Sequence, residues 1–139
     1  MDRLILLRHG KAERDSDSGD DFDRKLTERG VRESAATAAT LADMGLVPDL
    51  VLVSSSARTR GTWAAAQSAF PQAAFRIEPS LYHAEERVVR QLAEAAGQSS
   101  NTVMIVGHNP GLQELTIRLL AEGGAPSTLI ARAHANFPT

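Results

Sequence analysis

Leu4-Ile5-Leu6-Leu7-Arg8-His9-Gly10-Lys11 opens the chain with four apolar residues and then, without a spacer, an arginine, a histidine and a glycine. A short apolar run bounded by polar residues reads as a strand buried on both faces. Its exit delivers Arg8 and His9 side by side, and the carboxyl ends of strands are where open α/β sheets place their chemistry. A guanidinium grips a phosphoryl group through paired N–H donors, while an imidazole lone pair can attack its phosphorus. The juxtaposition points to phosphoryl transfer through histidine.

The same arrangement recurs twice. Leu50-Val51-Leu52-Val53 reads as a second buried strand, runs into Ser54-Ser55-Ser56, and leads to a helix from Ala57 to about residue 69 with Arg58 near its start. Thr102-Val103-Met104-Ile105-Val106 is the clearest strand, and Gly107-His108-Asn109-Pro110-Gly111 turns out of it into a helix over about 112–121. Between these, Thr27 reads as the N-cap of an Ala-rich helix that ends at Gly45, with Ala35, Ala38, Ala39 and Ala42 as a thin inner face. Phe75-Arg76-Ile77 offers a short third strand. Residues 85–96 form an amphipathic helix with Val88, Val89, Leu92, Ala95 and Ala96 on one side. Strands alternating with helices at this spacing imply right-handed crossovers and a mostly parallel sheet with helices on both faces, an α/β three-layer sandwich. The stretch after Gly123-Gly124 is mixed.

The 139 residues suit a single domain, 1–139. Hydrophobic residues are 42% and aromatic ones only 4%, so Ala, Leu and Val must fill the core. A formal net charge of -2 gives no bulk attraction to nucleic acid or an anionic membrane, so any anion site must be focused locally. With no cysteine, disulfides and thiolate chemistry are excluded, and with no run approaching a membrane span the cytoplasmic compartment is the expectation.

In a parallel sheet the three strand exits converge, which brings Arg8, His9, Arg58 and His108 into one anion pocket beside the helix start near Ala57. A histidine nucleophile must be neutral, and Arg8 and Arg58 would disfavour its charged form. Its other ring nitrogen should donate to a carbonyl or carboxylate, which fixes the tautomer. Other polar residues have simpler readings. His83 and His134 read as packing or surface histidines, the acidic run from Asp15 to Asp23 as a solvated loop that forms a rim, and Lys11 either steers phosphate or sits in solvent. Four histidines without an H-E-x-x-H pattern or a matching carboxylate cluster give no expectation of metal.

Leu7-Arg8-His9-Gly10, Ser54-Ser55-Ser56-Ala57-Arg58-Thr59-Arg60-Gly61-Thr62 and Val106-Gly107-His108-Asn109-Pro110-Gly111 resemble the motifs of the histidine phosphatase superfamily, the phosphoglycerate-mutase-like proteins. The resemblance spans nearly the whole chain. Lys11-Ala12-Glu13, the stretch Asp21 to Gly30, and Leu81-Tyr82-His83-Ala84 look like its compact SixA-like phosphohistidine phosphatases. The likeness implies a phosphoglycerate-mutase-like fold and no cofactor. It makes His9 the phosphorylated nucleophile, with Arg8, Arg58 and His108 binding the phosphoryl group. It implies as substrate a phosphohistidine on a phosphotransfer domain or phosphocarrier protein, or else a small phosphorylated compound. A non-catalytic phosphate- or phosphoprotein-binding module and a small-molecule phosphatase or mutase are the alternatives.

Two groups of differences matter. Ser55 stands where many relatives have proline and Gly61 where they often have glutamine. The Leu-x-Glu that supplies the general acid in many mutase-like relatives corresponds to Leu81-Tyr82-His83, so no carboxylate stands there. His83, Glu85 and Glu86 are the candidates for an acid or for the rim, and Lys11 for the rim. Imidazole leaving a phosphoramidate is a weaker base than an alkoxide and needs less help, so the difference favours phosphohistidine over phosphate esters. Relatives also continue after Phe137-Pro138-Thr139 into a further strand and tail, so the expectation is either a naturally short end or a truncated one, the latter leaving a sheet edge uncovered.

Overall fold

The computed structural model covers Met1–Thr139. Its centre is a sheet of four parallel strands, β1 (Arg3–Arg8), β2 (Leu50–Val53), β3 (Ala74–Ile77) and β4 (Thr102–Gly107), in the spatial order β1-β4-β2-β3. Five helices cover it: α1 (Glu28–Asp43), α2 (Ala57–Ala66), α3 (Glu86–Gly97), α4 (Gly111–Glu122) and α5 (Ser127–Ala135). None is long and apolar enough to cross a membrane.

Every residue of β4 is buried, as its unbroken apolar run requires of a strand with helices on both faces. Side chains alternate across it. Val103 and Ile105 join Leu52, Val89, Ala93, Leu112 and Leu115 in a core under α3 and α4. Met104 and Val106 join Val51, Val53, Ala38, Trp63 and Phe70 in a second core under α1 and α2. The result is the three-layer sandwich expected of the alternating pattern.

β1 departs from the expectation of full burial, because it lies at the edge of the sheet with β4 as its one strand neighbour and is only half-buried. An apolar run alone does not distinguish a central from an edge position. β3, at the other edge, is exposed throughout.

Helix α1 begins as its sequence directs, with the Thr27 side chain accepting a hydrogen bond from the Gly30 N–H at 2.9 Å. Its buried stripe is Gly30, Ser34 and Ala38, whereas Ala35 and Ala39 are exposed, so the helix is rotated from the face its alanines marked. The cause is a close approach. A Cβ on Gly30 would collide with the Lys11 carbonyl oxygen, and one on Gly10 would lie 2.6 Å from Ser34 Oγ. The two glycines thus let α1 press on the segment that leaves β1, and that contact sets the rotation.

Helix α2 is shorter than its sequence reading, because a 3-10 turn takes over at Gln67–Ala69. Helix α5 is unforeseen. It buries no residue, and its nine residues, Ser127–Ala135, are fewer than the window over which a helical period is read. Beyond it, the chain returns to the sheet and the Phe137 carbonyl accepts hydrogen bonds from Arg8 Nη1 at 2.9 Å and Asn109 Nδ2 at 3.1 Å.

Parallel pairing puts all the carboxyl ends on one edge, and the strand order makes three of the exits neighbours. Arg8 stands beside Gly107 across the β1–β4 pair, and Val53 beside Val106 across the β2–β4 pair. Residues 8–9, 54–58 and 108 therefore converge.

Candidate active site

His9 continues the ladder for one residue past β1, its N–H donating to the Gly107 carbonyl at 3.0 Å. The ring is buried, with Nδ1 2.8 Å from the Gly10 carbonyl oxygen. A carbonyl only accepts, so Nδ1 carries the proton and Nε2 is left with a lone pair. Burial, reinforced by Arg58, Arg8 and Arg24, pushes the His9 pKa down to about 4 against the opposing Gly10 bond. The imidazole is accordingly neutral at neutral pH. Behind it, the Gly10 N–H donates to Thr62 Oγ1 at 2.9 Å and the Thr62 hydroxyl donates to the Arg58 carbonyl at 2.8 Å, which ties this turn to α2.

His108 follows β4 directly, and its ring centroid lies 5.4 Å from that of His9. Its Nε2 is 2.7 Å from Ser54 Oγ, while its buried Nδ1 has no partner. The Ser54 hydroxyl can donate to or accept from Nε2; where it donates, a neutral His108 carries its proton on the unpartnered Nδ1. Burial, followed by the charges of Arg58, His9 and His83, pushes the His108 pKa down to about 3. Ser54 itself is wholly buried at the end of β2.

Arg58 is the second residue of α2, a helix capped by Ser56, whose side chain accepts from the Thr59 N–H. Its side chain is only 5% exposed. Nη1 donates to the Asp21 carbonyl at 2.9 Å and Nη2 to Asp21 Oδ2 at 3.1 Å, while Nε is buried without a partner. Arg8 follows the same plan, with Nη1 on the Phe137 carbonyl and Nε buried and unpartnered. Buried N–H groups are rarely left unsatisfied, and guanidinium edges of this kind fit the oxygens of a tetrahedral oxyanion.

The expected quartet of Arg8, His9, Arg58 and His108 is thus brought together. The structure adds residues that sequence reading had not placed here. Asp21 lies in a 3-10 turn, Asp21–Asp23, inside the acidic run expected to be a solvated loop. Its carboxylate, still exposed to solvent, accepts the Tyr82 hydroxyl at 2.6 Å and Arg24 Nε at 2.9 Å besides Arg58. These donors, Tyr82 foremost, hold the Asp21 carboxyl well below the usual carboxylate range. The Tyr82 ring meets the His108 ring nearly edge-on at 5.6 Å. The signals that set this aspartate apart from its acidic neighbours were its Asp-x-x-Arg spacing to Arg24 and its place at the start of the SixA-like stretch from Asp21 to Gly30.

Of the packing and surface readings of His83, the structure fits the surface one. The residue is exposed, has a left-handed φ of 56°, and places its ring 6.3 Å from that of His108, with Nε2 3.8 Å from Asp21 Oδ2. That position is the mouth of the pocket. Glu85 is exposed at the N-cap of α3, and Glu86 pairs with Arg118 at 3.0 Å. Both line an adjoining cleft with His83, Asn109 and Glu114. Lys11 leaves its side chain exposed, while its carbonyl accepts the Thr27 N–H at 2.9 Å, so its backbone does the structural part. His134 is exposed on α5.

A neutral imidazole with a free Nε2, two guanidinium groups each with an unpartnered Nε–H, and a second neutral imidazole with an unpartnered Nδ1 form a site equipped to accept and hold a phosphoryl group. Comparison with known proteins identifies the family. The family model described as histidine phosphatase superfamily (branch 1) matches residues 4–81. An uncharacterized chloroplastic protein of Arabidopsis thaliana is 33% identical over 122 residues, which is 81% of this chain. The chain spans 56% of the length of that relative. The crystal structure of an Agrobacterium tumefaciens protein, provisionally described as phosphohistidine phosphatase SixA, superposes with a TM-score of 0.86 at 35% identity, covering 98% of this chain and 85% of that one. The fold extends to a phosphoglycerate mutase of Plasmodium falciparum, with a TM-score of 0.61 at 17% identity over 97% of this chain and 77% of that one. A family match over residues 4–81, more than half the chain, makes this protein a member of branch 1 of the histidine phosphatase superfamily.

Proposed function

We propose that the protein is a phosphatase that works by double displacement through His9. The His9 Nε2 lone pair attacks phosphorus, the new P–N bond forms as the bond to the leaving group breaks, and the leaving group takes up a proton. Water then attacks phospho-His9, regenerating the imidazole and releasing orthophosphate. Arg8, Arg58 and the His108 Nδ1–H hold the phosphoryl oxygens in both steps, and such fixed donors supply most of the catalysis in phosphoryl transfer. The observation that carries this reading is the Nδ1 contact of His9 with the Gly10 carbonyl, which presents Nε2 as a nucleophile in a cationic pocket.

We assign phosphohistidine on a protein as the substrate class, the partner being a phosphotransfer domain or phosphocarrier rather than a small phosphorylated compound. Three features support this. The carboxylate nearest the phosphoryl site, Asp21, is held ionised by its donors and has no proton to give an alkoxide. Glu86 is engaged with Arg118. The groups left at the mouth are the exposed His83 and Glu85, which lie along the adjoining cleft with Glu114 and are enough for an imidazole leaving group that is itself a modest base. The likeness to the Agrobacterium protein points the same way.

The test compares kcat/KM on a phosphohistidine protein and on simple alkyl phosphate esters, with His9→Ala as the control. The expected result is a preference of at least about a hundredfold for phosphohistidine, the scale of a missing acid catalyst. Equal values would overturn the substrate class, and absence of any turnover would favour a phosphate-binding module.

A further inference from the structure

We propose that Asp21 is a positioning residue, which holds the two terminal nitrogens of the Arg58 guanidinium so that the adjacent Nε–H, buried and unpartnered, is kept free for the phosphoryl group. The inference rests on the reading that Arg58 binds that group. A guanidinium is a rigid plane with five N–H donors, and which of them are free depends on which edge is already bonded. Asp21 engages one terminal nitrogen through its backbone carbonyl, at 2.9 Å, and the other through its carboxylate, at 3.1 Å. That two-point contact fixes the plane as well as the charge. Nε is left buried and without a partner.

Asp21 is itself over-determined, which a residue that merely borders a pocket need not be. Tyr82 donates to the same carboxylate oxygen that Arg58 uses, and Arg24 Nε donates to the other at 2.9 Å. The turn that carries Asp21 is fixed at several points. Asp20 caps it by accepting from the Phe22 N–H at 3.0 Å, Ser18 Oγ donates to Asp23 Oδ2 at 2.7 Å, and Arg24 Nη1 donates to the Glu13 carbonyl at 2.8 Å. The Phe22 ring packs edge-on against Tyr82 at 5.1 Å. A carboxylate anchored in this way cannot follow Arg58 about, so Arg58 is held to it.

The electrostatics fit positioning better than competition. Asp21 offsets one of the two nearby positive charges, Arg58 and Arg24, and the buried guanidinium is thereby tolerated before any phosphoryl group arrives. It contacts the terminal nitrogens, so an oxyanion reaching Nε does not have to displace it. Asp21 touches no reacting atom in this scheme and acts only through Arg58.

The experiment is a double-mutant cycle on the full chain, with Asp21→Ala, Asp21→Asn, Arg58→Ala and the Asp21→Ala/Arg58→Ala pair. Two quantities are read: the dissociation constant for inorganic orthophosphate, and KM and kcat for phosphorylation of His9 by phosphoramidate. Orthophosphate binding should weaken about tenfold in Asp21→Ala and severalfold in Asp21→Asn, the scale of a charge-assisted pair. The same substitution should change binding less than about twofold once Arg58 is alanine, the sign of a contact acting through that residue. KM for phosphoramidate should rise alongside. Binding that is unchanged or tighter in Asp21→Ala would overturn the proposal, as would an equal penalty in both Arg58 backgrounds. If Asp21→Ala does not fold, Asp21→Asn carries the same cycle. A wild-type protein that binds orthophosphate no more tightly than Arg58→Ala would refute the role of Arg58, and the inference with it, whereas tight wild-type binding with an indifferent Asp21 would refute the inference alone.

Discussion

His9 is nucleophilic because of one backbone carbonyl and a dry, cationic surrounding, and both have measurable consequences. Its pKa of about 4, against an ordinary 6.5, means that protonation should not cost activity until the medium is well below neutral. The rate of His9 phosphorylation, followed in single turnovers with phosphoramidate and corrected for ionisation of the donor, should hold from pH 7 to about 5 and fall only near about 4. An acid limb centred at the free-histidine value would contradict the burial argument. Ser54 is the corresponding support for His108. Ser54→Ala should leave the fold intact but lower kcat/KM about tenfold, the scale of one buried hydrogen bond, because it frees His108 to adopt the other tautomer. An unchanged kcat/KM would show that Ser54 does not orient that ring. Arg8, His9, Arg58 and His108 were legible in the sequence because each stands at the exit of a recognisable strand. Asp21, Tyr82 and Ser54 were not, since their roles exist only across tertiary contacts such as the 61-residue separation of Asp21 and Tyr82.

At the scale of elements, the approach of α1 to the turn after β1 is the most exacting contact. Gly30→Ala would force a methyl group into the Lys11 backbone, which leads directly back to His9. The expected loss is about 1–3 kcal/mol in urea denaturation, with lowered activity as the turn shifts. Wild-type stability in that variant would mean the helix can retreat freely. The strands β2 and β4 and the capped start of α1 followed from apolar runs, Thr27 and Gly45, because those signals are local. The rotation of α1 did not follow, because it is set by two glycines rather than by the alanines that the helical period favours. Nor did α5, which buries nothing, or the edge position of β1, which depends on strand order.

The whole molecule makes its site by parallel pairing with β4 between β1 and β2, so one sheet edge collects residues from three distant parts of the chain. That arrangement couples stability to pH. His9 and His108 bind protons with pKa values of about 4 and about 3 in the folded protein, against 6.5 for the ordinary group. The unfolded chain therefore takes up protons first as the pH falls, and the two histidines' contribution to stability should decline from about pH 6.5 downward, levelling once their folded pKa values are passed. Denaturation midpoints across that range should show a shallower decline in a His9→Asn/His108→Asn variant. Identical slopes would place the acid sensitivity elsewhere.

The central claim is that His9 Nε2 accepts a phosphoryl group. It is tested most directly by incubating wild type and His9→Ala with phosphoramidate, quenching under alkaline conditions, and locating the adduct by mass spectrometry of intact and digested protein. The account predicts a single phosphoryl addition on His9 that decays to orthophosphate and is absent from His9→Ala. A wild-type protein that turns over substrate with no adduct on His9, or an adduct of equal amount in His9→Ala, would contradict it.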